Sequence, residues 1–179
     1  MDIWIFGYGS LIWNPGFEHS EARKGFALGF ARRFWQGNTM HRGTDQLPGR
    51  VVTIVPDPAS VSSGILYRVS GLEEIWAAFK HLYYREIENG YKYQTIQVTL
   101  ESGAQIEAVT VVAKDDNQFY LGPAATHQMA AEIAEAKGMA GANSDYLLKL
   151  ADWNRKLFPQ FKDHHLYELE SLVLELIHL

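Results

Sequence analysis

Strand-like segments fill the first two-thirds of this 179-residue chain and helical ones the last third, an order that predicts an α/β protein of the α+β kind. Two observations carry that prediction. Up to about residue 113, runs rich in β-branched and aromatic residues alternate with Gly, Pro, Asn and Asp. Beyond it, apolar residues recur at helical spacing and stop at Gly or Pro. The length suits a single domain over residues 1–179 with a sizeable core.

Strands are expected over residues 3–6, 25–35, 50–55, 64–69, 93–100 and 106–113. Helices are expected over 127–137, 144–158 and 163 to about 177, the middle one marked by Tyr146, Leu150, Trp153 and Leu157. A further helix sits inside the strand region. Ser70-Gly71-Leu72-Glu73 reads as a capping box, and Leu72, Ile75, Trp76, Phe79, Leu82 and Tyr83 follow at helical spacing until Asn89-Gly90. Continuing the count from Ile75, Phe79 and Leu82 reaches Glu86, which places a carboxylate on the apolar stripe at the C-terminal end of the helix. Burial and the negative end of the helix dipole would raise its pKa toward neutrality, the range for general acid/base work. The competing reading has the helix fray, with Glu86 in water and paired to Arg85 or Lys80.

Composition excludes several classes. The net charge is −5 with dispersed basic residues, so a footprint for nucleic acid or an anionic membrane is missing, while small anionic ligands stay possible. No run of about 18 apolar residues and no secretory signal pattern is present. Zero cysteines exclude disulfides, thiolate metal sites and a cysteine nucleophile, and the cytoplasm is the expected compartment. No metal, cofactor or obligatory protein partner is expected.

The N-terminal WIFGYGSLIWNPG breaks an apolar run with Gly7-Tyr8-Gly9-Ser10. Without Cβ atoms, Gly7 and Gly9 allow a sharp turn and close approach of a ligand, and N–H groups around Gly9, Ser10 and Leu11 can converge on a carboxylate. A tight turn with no ligand fits the same residues. A dinucleotide fingerprint would need a third glycine where Ile12 stands. Ser10 as nucleophile lacks the glycines of a nucleophile elbow, since Tyr8 and Ile12 flank it, and has no assignable His/Asp partners. His164-His165 point apart on a helix and do not read as metal ligands. Tyr83, Tyr84, Tyr91 and Tyr93 fit either a pocket or a core.

Six ordered segments, FGYGSLIW, RRFWQGNTMHRG, PGRVVTIVPDP, YREIENGY, YLGPA and YLLKLA, cover nearly the whole chain and resemble the ChaC family of glutathione-specific γ-glutamylcyclotransferases. The resemblance implies a γ-glutamylcyclotransferase-like fold, a small barrel-like mixed sheet with helices around it. The family's Tyr-Gly-Ser-Leu signature matches Tyr8 to Leu11, and the implied role of the loop from Gly7 to Ile12 is to hold the γ-glutamyl group largely through main-chain groups. The family's catalytic glutamate, in an Arg-Glu pair upstream of Gly-Tyr, falls on Glu86. The chain departs from the family pattern at Met40, where aspartate is expected before His-Arg-Gly.

The implied reaction converts glutathione to 5-oxoproline and Cys-Gly by attack of its α-amine on the γ-carbonyl, with Glu86 as proton carrier. Gln36, Arg42 and Tyr91 are candidates for the wider pocket, Arg42 because a guanidinium suits a substrate carboxylate; each also fits a structural role. Two alternatives stand beside this reading. One is a cyclotransferase for other γ-glutamyl amines or γ-glutamyl amino acids, and the other is a non-catalytic metabolite-binding protein on the same scaffold.

Overall fold

The structure, a computed structural model, describes residues 1–178 and divides into two compact units: residues 1–31 with 54–114, and residues 32–53 with those from 115 onward. Five strands form a closed barrel in the order β1-β3-β2-β4-β5. They are β1 (Asp2–Gly7), β2 (Glu21–Asn38), β3 (Gly49–Ser70), β4 (Tyr91–Thr99) and β5 (Gln105–Ala113). A mixed α/β protein with a barrel-like sheet is thus what the chain forms.

In the first unit β1 runs antiparallel to β3, from Asp2 opposite Ser70 to Gly7 opposite Ile65, and parallel to β5 where Ile5 meets Val109. The β4–β5 hairpin pairs Tyr91 with Ala113 and Thr99 with Gln105. Phe6 of β1, Leu66 and Val69 of β3 and Val98 of β4 are fully buried. Residues 50–55 and 64–69, expected as separate strands, belong to the single long β3. Pro56 and Pro58 interrupt the sequence pattern without ending the strand. Two residues apart, they place their missing N–H groups on the same side of it, which an exposed stretch tolerates.

Helix α1 (Leu72–Arg85) follows β3 directly. The expected capping box does not form: Ser70 ends β3 with its hydroxyl against that of Ser20 at 3.1 Å, and the N-cap is Gly71, at φ 95°. Gly71 donates its N–H to Met1 O and accepts from Ile75 N, so a glycine able to adopt that φ does the capping without a side chain. The buried stripe is narrower than the sequence suggests. Ile75, Ala78 and Leu82 are buried, whereas Leu72 and Trp76 are 70% and 71% exposed. One apolar cluster joins Ile75, Ala78 and Leu82 to Ile5, Val69 and Leu11, with Ile3, Phe17 and Phe79 packed around it.

The second unit is largely helical: α2 (Thr126–Glu135), α3 (Asn143–Leu157) and α4 (His164–Ile177) pack on one another, and two-residue strands β6 (Lys137–Gly138) and β7 (Gly141–Ala142) form a small hairpin. Met129, Ile133, Leu147, Leu150, Leu166 and Leu169 fill their contacts. Buried charges here are fully engaged. Arg50 donates through Nη1 to Phe34 O (2.9 Å) and Gly122 O (3.1 Å) and through Nε to Glu132, while Asn143 bonds its backbone on both sides. Arg32 donates to Asp163 at 2.6 Å, and Asp163 also caps α4 by accepting from Leu166 N. Among the described residues, no helix is long and apolar enough to cross a membrane.

His165, in the first turn of α4, accepts a hydrogen bond from Phe34 N through Nε2 at 3.2 Å, which requires the neutral ring. Burial, with the Arg33 charge adding to it, pushes its pKa down to about 4 from the usual 6.5. Between those values the unfolded chain binds a proton that the folded chain refuses, so this group's stabilisation is full above 6.5 and is lost as pH falls toward 4. The loss should reach about 3 kcal/mol. His165→Gln, whose side-chain oxygen can accept from Phe34 N and does not titrate, is expected to show a shallower decline of unfolding free energy between pH 7 and 4. Denaturant melts across that range check it; parallel curves for the two proteins would refute the assignment.

Candidate active site

The candidate site lies in the first unit, where the loop after β1 meets the end of α1. Gly7 is the last residue of β1, and the chain turns through Tyr8 and Gly9 into a short 3-10 turn over Ser10–Ile12. A Cβ on Gly7 would sit 2.5 Å from Leu11 Cβ, so the turn closes this tightly only with glycine there. Ile12 N donates to Gly9 O at 3.0 Å, and Asn14 N to Ser10 O at 2.9 Å. The side chains of Tyr8, Leu11 and Ile12 are buried, and the Tyr8 hydroxyl donates to Val111 O at 2.5 Å. What the loop can offer a ligand is therefore chiefly its main chain and Ser10.

Tyr67 of β3, which sequence reasoning passed over, holds the loop from beneath. Its buried hydroxyl approaches Leu11 O at 2.6 Å and Ile12 O at 3.0 Å, and burial pushes its pKa up to about 12. Phe17 and His19 pack edge-on against its ring. Its only advance signal is a tyrosine among the buried residues of a strand, where a hydroxyl must find a partner.

Glu86 is the C-cap of α1 and leaves the helix at φ −121°, ψ −51°. Its N–H reaches Leu82 O at 2.8 Å, and its carbonyl accepts from Asn89 N and from Tyr91 N, at 3.0 and 3.2 Å. The residue is thereby pinned between α1 and β4. Its side chain is 15% exposed, and the carboxylate Oε1 lies 3.2 Å from Arg85 Nε. The reading that put Glu86 in water does not hold: the carboxylate is mostly buried, and only the pairing with Arg85 survives from that alternative. Burial pushes its pKa up to about 7, with the Arg85 charge opposing.

Arg85 also donates through Nη2 to Ser10 Oγ at 2.7 Å and through Nη1 to Asn14 O at 2.6 Å. A lone pair of the serine oxygen is thus occupied by a cationic donor, which works against the nucleophile reading and leaves the hydroxyl proton free for a ligand. One turn back on α1, His81 Nε2 is buried without a hydrogen-bond partner. It abuts Gly16, where a Cβ would collide with the ring, and burial together with Arg85 holds its pKa below the usual value.

Of the sequence-singled residues, the first unit brings together the loop of residues 7–12, Glu86 and the buried Tyr91, whose N–H bonds Glu86. Gln36 and Arg42 belong to the second unit. Gln36 is buried and exchanges two amide hydrogen bonds with Asn117, at 3.2 and 3.0 Å. Arg42 donates to Ala140 O and Ala142 O, at 3.2 and 3.1 Å. Tyr83 and Tyr84 are exposed and stack edge-to-face, and Tyr93 donates to Phe79 O. Among the described residues no group of three or more His, Asp or Glu side chains could hold a metal ion.

Residues 3–176 match the family described as ChaC-like protein. The human protein named glutathione-specific γ-glutamylcyclotransferase 1 is 44% identical over 175 residues, covering 96% of this chain and 78% of its own. Its zebrafish (Danio rerio) namesake is 38% identical over 178 residues, covering 98% of this chain and 90% of its own. A crystal structure of a glutathione-specific γ-glutamyl cyclotransferase from yeast superposes with a TM-score of 0.90 at 29% identity, covering 99% of this chain and 97% of that one.

Removing the Tyr67 hydroxyl takes the donor from two loop carbonyls. Tyr67→Phe should lower the unfolding free energy by about 1–3 kcal/mol, read in urea melts at pH 7. A melt superimposable on wild type would show that this hydroxyl does not anchor the loop.

Proposed function

Because the chain belongs to the ChaC family, we propose that it is a γ-glutamylcyclotransferase that degrades glutathione to 5-oxoproline and Cys-Gly. The observation that carries the reading is the Glu86 carboxyl, mostly buried, held near pKa 7 and linked through one guanidinium to the loop that bears Ser10. The names of the relatives support glutathione as the substrate.

In the proposed reaction the γ-glutamyl group lies along residues 7–12 with its chain folded, so that its α-amine faces its own γ-carbonyl. Attack forms the C–N bond of a five-membered lactam, and collapse breaks the bond to the cysteine nitrogen. No water is consumed. An α-amine has a pKa near 8 and is largely protonated at pH 7; Glu86 takes that proton and returns one to the departing cysteine amine. Holding the flexible glutamyl chain in attack geometry supplies the orientation term, up to roughly 7–11 kcal/mol in favourable intramolecular cases. The protein supplies no nucleophile of its own.

Glu86→Gln keeps the shape and removes the base, so kcat on glutathione should fall by about 10²- to 10⁴-fold. Stability should move the other way. The folded chain keeps a proton on Glu86 between pH 4.5 and about 7 that the unfolded chain has lost. This group's stabilisation is therefore full below 4.5 and lost as pH rises through 7. Glu86→Gln should then unfold at a higher temperature than wild type at pH 8 and at a similar one at pH 4. Substantial turnover by the folded variant would remove Glu86 from the mechanism.

The attacking group is tested on the substrate. Glutathione acetylated on its α-nitrogen has that lone pair delocalised and should compete with glutathione for binding yet not turn over. With unmodified glutathione in ¹⁸O-water, 5-oxoproline should form without label, because its ring oxygen is the original γ-carbonyl oxygen. Labelled glutamate as primary product, or cleavage of the acetylated substrate at a comparable rate, would replace cyclisation by hydrolysis.

A further inference from the structure

A single side chain touches three stretches of the candidate site. The Arg85 guanidinium donates to Asn14 O (2.6 Å) and to Ser10 Oγ (2.7 Å), and its Nε faces Glu86 Oε1 at 3.2 Å. We propose that Arg85 is the positioning residue of the reaction, its planar fork setting the distance and angle between the substrate-holding loop and the Glu86 carboxylate. The proposal rests on the acid/base role proposed above for Glu86.

Neighbouring residues on a regular helix do not face each other, so an Arg-Glu pair in sequence is not by itself an ion pair. The contact forms here because α1 stops at Arg85 and Glu86 departs from helical backbone, turning its carboxylate back toward the guanidinium. That stop is itself built: the Asn89 side-chain amide donates to Arg85 O at 2.8 Å, and Glu86 O takes the N–H groups of Asn89 and Tyr91. Arg85 is the only ion-pair partner of Glu86 among the described residues. Its two terminal nitrogens are spent on the loop, one at each side of the 3-10 turn. A shift of the loop therefore drags the guanidinium, and the guanidinium carries the carboxylate.

The fork is needed for this and a point charge is not enough. A lysine ammonium keeps the charge but cannot meet acceptors on the loop and on Glu86 in fixed planar directions. Charge and geometry can thus be separated by substitution. The titratable groups around Arg85 are Glu86, His81 on α1 and Tyr67 on β3. His81 is held below its usual pKa and Tyr67 is pushed up to about 12, so near pH 7 to 8 Glu86 alone changes charge beside the guanidinium.

The experiment compares wild type, Arg85→Lys and Arg85→Met by three readouts: thermal unfolding, kcat and KM for glutathione from pH 5.5 to 9, and the ¹³C titration of the Glu86 carboxyl. The carboxyl resonance is assigned by its loss in Glu86→Gln. In Arg85→Met the carboxyl midpoint should rise by about one pH unit or more, the acid limb of kcat/KM should follow, and KM should rise roughly tenfold. In Arg85→Lys the midpoint should stay near that of wild type while KM rises as in Arg85→Met. A folded Arg85→Met with unmoved midpoint and unmoved KM, or an Arg85→Lys with wild-type KM, overturns the proposal. Should Arg85→Met not fold, Arg85→Lys decides by the same KM criterion. Turnover at the wild-type rate by Glu86→Gln would instead sink the acid/base role, and the carboxyl titration reports on Arg85 whatever that turnover is.

Discussion

Leu11 packs into one apolar cluster with Ile5 and Val69 of the barrel and with Ile75, Ala78 and Leu82 of α1. The loop after β1 and the helix after β3 are for that reason not free to move apart. Much of the first unit's local chemistry follows from this contact. Leu11 can reach the cluster only if the chain doubles back after β1, and the double-back leaves no room for a Cβ on Gly7. A turn folded that tightly buries its own carbonyls, and buried carbonyls need donors, which the Tyr67 hydroxyl supplies for Leu11 and Ile12. With loop and helix fixed together, the last turn of α1 ends beside Ser10, and Arg85 is the side chain long enough to bridge them.

Two of the acid–arginine contacts, Arg32–Asp163 and Arg85–Glu86, make an instructive contrast. Asp163 accepts from Arg32 at 2.6 Å and from Leu166 N, so its carboxylate is compensated by a close cation and a helix N-terminus. Glu86 has one guanidinium nitrogen at 3.2 Å and sits at the opposite, negative end of a helix. The first arrangement ties the start of α4 to Arg32. The second leaves the carboxyl undecided between its two forms, with burial pushing its pKa up and Arg85 pulling it down to a value of about 7.

Which parts of this were legible in the sequence depended on whether the deciding interaction was periodic. The stripe Ile75, Phe79, Leu82 could be counted on to Glu86 because helical spacing carries burial forward, and the carboxyl is indeed mostly buried. The end of α3 and the start of α4 were legible from Pro159 and Asp163, residues that act locally, one through its ring and the other through its side-chain cap. The start of α1 was misread because Ser70 and Glu73 have the right spacing for a capping box, yet Ser70 is claimed by β3 and by Ser20. Leu72 and Trp76 carry the helical period and still face outward, since periodicity says which residues share a face and not whether that face is covered. Arg85 and Tyr67 act through partners 75 and 56 residues away in sequence, and no local pattern encodes such contacts.

The proposed chemistry also explains why partial compensation suits Glu86 better than full compensation. A carboxylate at its ordinary pKa of 4.5 would be several powers of ten too weak a base to share a proton with an amine of pKa near 8. A carboxyl buried with no cation nearby would rise further and stay protonated at neutral pH, unable to take the first proton at all. Near 7 the proton can be accepted from the α-amine and surrendered to the departing nitrogen without a large penalty in either direction. Burial alone or a tight salt bridge alone would each miss that value. A single guanidinium, 3.2 Å from the carboxylate and with its other two nitrogens committed to the loop, sets the compromise and keeps it in register with the part of the protein proposed to hold the substrate.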